Sequence, residues 1–444
     1  MAPVNKGSSV QRTHPLLYWV TIAYIVGLPN FLYFDGSGRT HDLGLLNATS
    51  ISRIALSLLT AYVLAATLAM GRGPFFPRKV KVSIGVWISL LAWCTIATIL
   101  QPPGRLTPPL STDLPLSLFR LGEWVLGFIL FLAVYTRTPA EEGVALVVEL
   151  IGRSSWITII MVWLMMLVAP HLAYALSDEP GSMALLGGQF VNPGILAFQA
   201  GCAFLYSLWF ARQAYFKWSG CCLAFITLVM TRARTPLIGF LIALLSYVFV
   251  YCGRPMLRWA AVGLLVLFGV SFSQPILLYL ARGQNAESIA TLNDRVLLWT
   301  ACWSAIQLRP TLGYGFIVGA KNAIKDHWSY SHWLPPHAHN DFIQATLEAG
   351  FPACLLVMYI YTWLIIKSIN ASRKSRGHLF ILLVVAQIVV IASTGLVAAS
   401  QFTTLSAVFV LCCIGSAGND LKEPVVVTAR YRDEMERAIA CLPS

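Results

Sequence analysis

Of 444 residues, 57% are hydrophobic and only 11% charged, with a mean hydropathy of +0.70. So little polar surface cannot coat a water-soluble globule, which excludes a soluble enzyme and implies an integral membrane protein. The formal charge of +12 raises nucleic acid as a partner, and the placement of the charges excludes it.

Apolar runs long enough to cross a bilayer recur at 16–34, 51–70, 80–100, 114–135, 155–176, 190–210, 218–231, 236–252, 258–274, 351–366, 379–397 and 402–417. The chain therefore reads as all-α and polytopic, with about twelve transmembrane helices. The runs 218–231 and 236–252 are close enough to be mistaken for one broken helix. The first run starts too late, is too long for a signal peptide and lacks a small-residue cleavage site, so it reads as a retained helix. Most of the ten cysteines lie inside apolar runs and none forms a CxxC pair, so no disulfide framework is expected. With both termini in the cytoplasm, the inner segments hold 20 Lys and Arg against 8 acids, a difference equal to the whole net charge of +12, and the outer segments balance at 10 against 10. Arg120 and Glu123 cancel within the fourth helix. The basic character is thus the positive-inside rule and not a nucleic-acid footprint.

This orientation divides the chain into helices one to nine (1–274), a large outer loop with short helices (275–350), helices ten to twelve (351–417) and a cytoplasmic tail (418–444). One large outer loop points to chemistry on the outer face.

Three outer stretches break the apolar pattern. "TRARTP", 231–236, puts Arg232 and Arg234 in a short outer turn where cations are disfavoured. Either they snorkel to lipid phosphates, or they capture an anionic headgroup, for which a guanidinium fork is suited. "NDRVLLWTACWSAIQLRPTLGYGF", 293–316, gives a short amphipathic helix at the outer interface, capped by Asn293 or Asp294, with Leu298, Cys302 and Ile306 on one face and a stop at Pro310. Arg295 sits at its positive end, where a bound anion would explain it. The turn Gly313-Tyr314-Gly315 either brings backbone N–H groups to a ligand or is simply a turn.

In "LPPHAHNDFIQATLEAGFPA", 334–353, the prolines stiffen the approach and a helix starts near His339 or Asn340, runs to Gly350, and yields to a membrane helix opened by Pro352. His339 at a helix start is held neutral by the positive dipole end, as a general base requires; the alternative is that it merely caps the helix. His337 reads as a loop or supporting residue. His327, His332, His337 and His339 match no metal-site spacing, and Tyr314, Phe316, Trp328, Tyr330 and Trp333 fit sugar stacking and an interfacial aromatic belt equally well.

Taken in order, Arg234, then Arg295-x3-Trp299, then Pro310-x2-Gly313-x-Gly315, then His339-Asn340-x7-Glu348-x-Gly350 resembles the O-antigen ligase and polymerase superfamily of bacterial inner membranes. The motifs cover about 225–370. The resemblance implies a GT-C-like helical fold and glycan transfer from an undecaprenyl-pyrophosphate-linked O-antigen donor at the periplasmic face, with no cofactor or metal. In a ligase the acceptor is the lipid A-core oligosaccharide, and both substrates reach the site through the membrane lipids. It also implies that His339 acts on the acceptor, with Arg234, Arg295 and the neighbouring Arg232 near the pyrophosphate, and His337, Asn340, Glu348, Gly313 and Gly315 in support.

Elementary chemistry agrees: an acceptor hydroxyl needs a base and a departing pyrophosphate needs positive charge. Two rivals stand beside the ligase. A polymerase would need a second set of phosphate-binding cations on the outer face, and Arg39, Arg53, Arg105, Arg282, Arg309, Lys321 and Lys325 are scattered. A transporter would explain the helices without the outer motifs.

Overall fold

Uncharged runs of Leu, Ile, Val, Phe and Ala offer the backbone no partner in lipid except itself, and they close their hydrogen bonds as helices. The protein's structure, a computed structural model, describes residues 15–27, 48–69, 81–100, 113–138, 142–175, 184–188, 190–251, 255–260, 262–263, 295–329, 335, 337–395, 397 and 404–417. Its helices are α1 (Pro15–Val26), α2 (Ala48–Ala69), α3 (Lys81–Ile99), α4 (Asp113–Thr136), α5 (Gly143–Val168), the single turn α6 (Pro170–Ala173), α7 (Pro193–Phe210), α8 (Ala214–Met230) and α9 (Arg234–Tyr251). There follow α10 (Arg295–Leu308), α11 (Val318–His327), α12 (Asp341–Ala371), α13 (Arg376–Ala392) and α14 (Thr404–Ala417). Apart from a two-residue antiparallel pairing of Tyr174–Ala175 with Leu185–Leu186, the described residues form no strand.

The chain is an all-α, multi-pass membrane protein. Among the described residues, five helices are long and apolar enough to cross a membrane (51–69, 114–136, 143–168, 193–210 and 341–371), and six shorter apolar helices accompany them. The expected helix 258–274 falls mostly outside the described residues, as do 275–294 and the tail from 418. Where 155–176 reads as a span, the helix instead begins at Gly143 and stops at Val168. Glu149 and Arg153 hide its first turns from a hydropathy reading, yet one turn apart they pair at 2.8 Å and remain helical. The runs 218–231 and 236–252 are two helices, separated by a turn in which Arg232 takes the left-handed φ of 50°.

The 31-residue α12 is not one straight rod. At 1.5 Å per residue, Asp341 and Tyr361 would lie about 30 Å apart in a continuous helix, yet the Tyr361 hydroxyl donates to Asp341 Oδ2 at 2.8 Å and the Phe342 and Tyr361 rings are 5.6 Å apart. The non-helical Ala349 and Gly350 fold the first segment back beside the second. Sequence reading expects this division, with a short helix to Gly350 and a membrane helix beyond it.

Large aromatics fill the core beneath this fold. Trp87 meets Trp124 and Phe409, Phe409 stacks on Tyr361 at 4.6 Å, and Trp124 stacks on Phe316 at 5.3 Å, joining the long helices to the segment before α11. Glu123 does not simply cancel Arg120. Arg120 approaches its Oε2 at 3.0 Å and Arg53, from α2, at 3.7 Å, so two guanidiniums share one buried carboxylate oxygen.

Candidate functional site

The pattern from 295 to 350 builds two adjoining structures. The first is a small hydrophobic unit: Leu298, Cys302, Ala305 and Ile306 pack against Ala320, Ala323, Ile324 and Leu347, with Trp299, Tyr314 and Trp328 against them. The predicted apolar face of α10 is therefore turned to protein; its cap candidates Asn293 and Asp294 lie outside the described residues. Beyond Pro310 the chain locks into the fold of α12. Tyr314 N–H donates to Leu347 O at 2.8 Å, Gly315 N–H to Glu348 O at 2.9 Å, and Phe351 N–H to Pro310 O at 2.8 Å. Gly313 and Gly350 both have positive φ, and a Cβ on Gly350 would overlap the Thr311 carbonyl. The N–H groups of the glycine turn are thus taken up within the chain, Gly313 by Arg309 O and the other two by α12, and do not face a ligand. Glu348 is enclosed here, accepting from Gln344 Nε2 at 2.9 Å and Ile317 N–H at 3.2 Å, and Trp93 donates to Ala349 O at 2.7 Å. Tyr314 and Phe316 are likewise structural, the one bonded to Ala305 O and the other buried on Trp124. Tyr330, His332 and Trp333 lie outside the described residues.

The second structure is a polar seam where the starts of α9, α10 and α12 meet the end of α13. Asn340 caps α12, its Oδ1 accepting from Phe342 and Ile343 N–H, while its Nδ2 donates to Ser393 O at 3.1 Å. Arg295 Nη1 donates to Thr394 O at 3.1 Å, and Thr394 Oγ1 bonds Thr235 Oγ1 at 2.8 Å beside Arg234. The cation at the positive end of α10 is thus held at the carbonyl end of α13, where a positive charge is favoured. α13 stops at Ala392 instead of continuing to 397, because Ser393-Thr394-Gly395 turns the chain and offers these carbonyls.

Arg234 lies close enough to Arg295 that its charge, after burial, lowers the Arg295 pKa. Two guanidiniums held together in a partly dry seam suit a polyanion. The His337 and His339 rings are 4.0 Å apart, and His339 N–H donates to His337 Nδ1 at 3.2 Å, so neutral His337 carries its proton on Nε2. Burial, then the Arg295 charge, pushes the His337 pKa down to about 4. His339 is held well below the usual imidazole value by burial first, then by His337 and Arg295. Neutrality of His339 is therefore a matter of enclosure and neighbouring charge more than of the helix dipole: the residue stands just before the cap, with an unusual φ of 49°. Trp299 Nε1 fixes the intervening Ala338 carbonyl at 2.9 Å, and Gln344 holds Ala338 N–H at 2.8 Å.

Of the residues singled out from sequence, Arg234, Arg295, His337, His339 and Asn340 come together in this seam. Glu348, Gly313 and Gly315 build the neighbouring lock, and Arg232 shapes the turn before α9. Asp341, Thr235 and the turn 393–397 escape a sequence reading, because a first-turn acid after an Asn cap and a Ser-Thr-Gly at the end of an apolar run both look ordinary.

Residues 219–360 match the sequence model of a family described as O-antigen ligase. The match bears out the resemblance to the O-antigen ligase superfamily. It covers about a third of the chain and includes α9 to the fold of α12, hence both the lock and the seam except its α13 side. A provisionally named polysaccharide ligase of Rickettsia felis is 33% identical over 88 residues, 18% of this chain, and the chain spans 21% of the length of that relative.

Proposed function

We propose that the protein is an O-antigen ligase, a glycosyltransferase that moves a glycan from undecaprenyl pyrophosphate to the lipid A-core oligosaccharide at the periplasmic face of a Gram-negative inner membrane. The observation that carries this reading is the meeting of Arg295, the Thr394–Thr235 contact beside Arg234 and the His337–His339 ring pair in one seam, within a segment that matches the ligase family. About twelve spans in a GT-C-like arrangement, with 275–350 as the periplasmic segment, belong to the same proposal.

The chemistry is a single displacement. The acceptor hydroxyl attacks the anomeric carbon, its proton passes to a ring nitrogen of His339, and the bond from that carbon to the pyrophosphate oxygen breaks. The electron pair leaves on the pyrophosphate, whose growing charge Arg234 and Arg295 stabilise, and the anomeric centre inverts. A general base must be neutral to take the proton, and burial first, then His337 and Arg295, keeps His339 neutral.

The second reading is a polymerase that holds two polyprenyl pyrophosphates, although Arg53 and Arg120, both engaged by the buried Glu123, do not give it a second phosphate-binding set. Reconstitution in vesicles with purified glycan-linked undecaprenyl pyrophosphate separates the two. Lipid A-core conjugates without elongated polyprenyl glycan are expected; elongation with no lipid A-core present would replace ligase by polymerase, and no transfer in either arm would remove both.

A further inference from the structure

Asp341 is a buried carboxylate with no evident need to be one. Asn340 already caps α12, and a first-turn acid serves a helix dipole well from the surface. Instead Asp341 is fully enclosed, and each oxygen receives a hydrogen bond from a distant part of the chain. Oδ2 accepts from the Tyr361 hydroxyl at 2.8 Å, on the far arm of folded α12, and Oδ1 accepts from Val397 N–H at 3.0 Å, in the turn after α13. That same turn supplies Ser393 O to Asn340 and Thr394 O to Arg295. One carboxylate therefore ties together the segment bearing His339, the membrane arm of α12, and the turn on which Arg295 rests.

We infer that Asp341 is a positioning residue, a latch that sets the distance between the base at His339 and the pyrophosphate-binding Arg295, with Tyr361 as its second half. The inference rests on the reading of the seam given above. A buried carboxylate suits the task because hydrogen bonds to a charged acceptor are shorter and stronger than neutral ones and leave less play at both ends. A misplacement of even 1 Å at the reacting groups is costly to the rate. Asp341 touches neither donor nor acceptor; it acts through Arg295 and through the start of α12.

The test uses the full chain, purified in detergent, with glycan-free undecaprenyl pyrophosphate as the binding probe and transfer kinetics alongside. Asp341→Asn keeps the size and one acceptor oxygen, and Tyr361→Phe removes a single hydroxyl, so the second variant carries the test if the first fails to fold. Each is expected to weaken probe binding about tenfold, equivalent to about 1.4 kcal/mol, and to raise the donor KM while leaving the acceptor KM near wild type. In an Arg295→Lys background the Asp341→Asn loss should largely vanish, because both changes act on one interaction. A folded Asp341→Asn or Tyr361→Phe protein that binds the probe normally, while Arg295→Lys binds poorly, overturns the latch alone. So do losses that simply multiply in the double variant. Normal binding by Arg295→Lys overturns the pyrophosphate reading and the latch with it.

Discussion

The lock around Gly313, Glu348 and Gly350 and the seam around Arg234, Arg295 and His339 meet on α12 and read alike in sequence, as short polar stretches in an apolar chain. They differ in how their polar groups are met. In the lock, N–H groups and a carboxylate find partners a few residues or one strand of chain away, and the result is a fixed reversal of α12. In the seam, two imidazoles sit in contact and Arg295 rests on a main-chain carbonyl of the turn that also meets Thr235 beside Arg234. The pattern His339-Asn340-x7-Glu348-x-Gly350 thus joins two tasks, with the proposed chemistry at its start and architecture at its end.

The comparison breaks most visibly at His339. His339→Ala should lower the transfer rate by about 10²–10⁴-fold with unfolding temperature unchanged, whereas His337→Ala should keep part of the activity; full activity in purified His339→Ala would move the base elsewhere. On the other side, Gly350→Ala places a side chain against the Thr311 carbonyl at a positive φ, and a loss of about 3 kcal/mol or more in stability is expected. A Gly350→Ala protein as heat-stable as wild type would show that α12 does not need its reversal. Arg295→Lys should weaken donor binding about tenfold through loss of the planar fork, with stability little changed, as titration with undecaprenyl pyrophosphate would show. Glu348→Gln should cost about 1 kcal/mol of stability and leave the turnover of the folded fraction near wild type; a large fall in turnover there would merge lock and seam into one site.

A further effect is in pH. His337 and His339 hold their protons more weakly in the fold than in the unfolded chain, so both histidines are neutral in either state well above pH 6.5 and the linked stability is flat there. As pH falls below about 6.5 the unfolded chain gains protons first, and stability declines toward pH 4. Thermal unfolding of wild type and His337→Gln between pH 7.5 and 4.5 should diverge only on the acid side; parallel curves would mean that the rings are solvated.

Much of this was legible without coordinates. Apolar runs announce most helices because a membrane forces backbone hydrogen bonds to close locally, and Gly350 with Pro352 marks the break in α12, though not that it folds back. What the residue order hides is made by contacts between distant segments. Arg53 reads as a stray cation until α2 brings it to Glu123, and Asp341 reads as a surface acid until Tyr361 and Val397 close on it. The glycine turn invites a ligand on sequence alone, and only the geometry reveals that Leu347 and Glu348 already occupy it.

The turn after α13 meets the seam through its main chain: Ser393 O, Thr394 O and Val397 N–H hold Asn340, Arg295 and Asp341. Function encoded in backbone atoms is silent to side-chain replacement. Ser393→Ala leaves its carbonyl in place, and Thr394→Ala loses only the hydroxyl that meets Thr235. An alanine scan would therefore pass over this turn as permissive, and among relatives its letters are free to drift while its length is not. Removing or adding one residue between Ala392 and Val397 would shift all three contacts at once, and should damage the enzyme far more than replacing any side chain the turn carries.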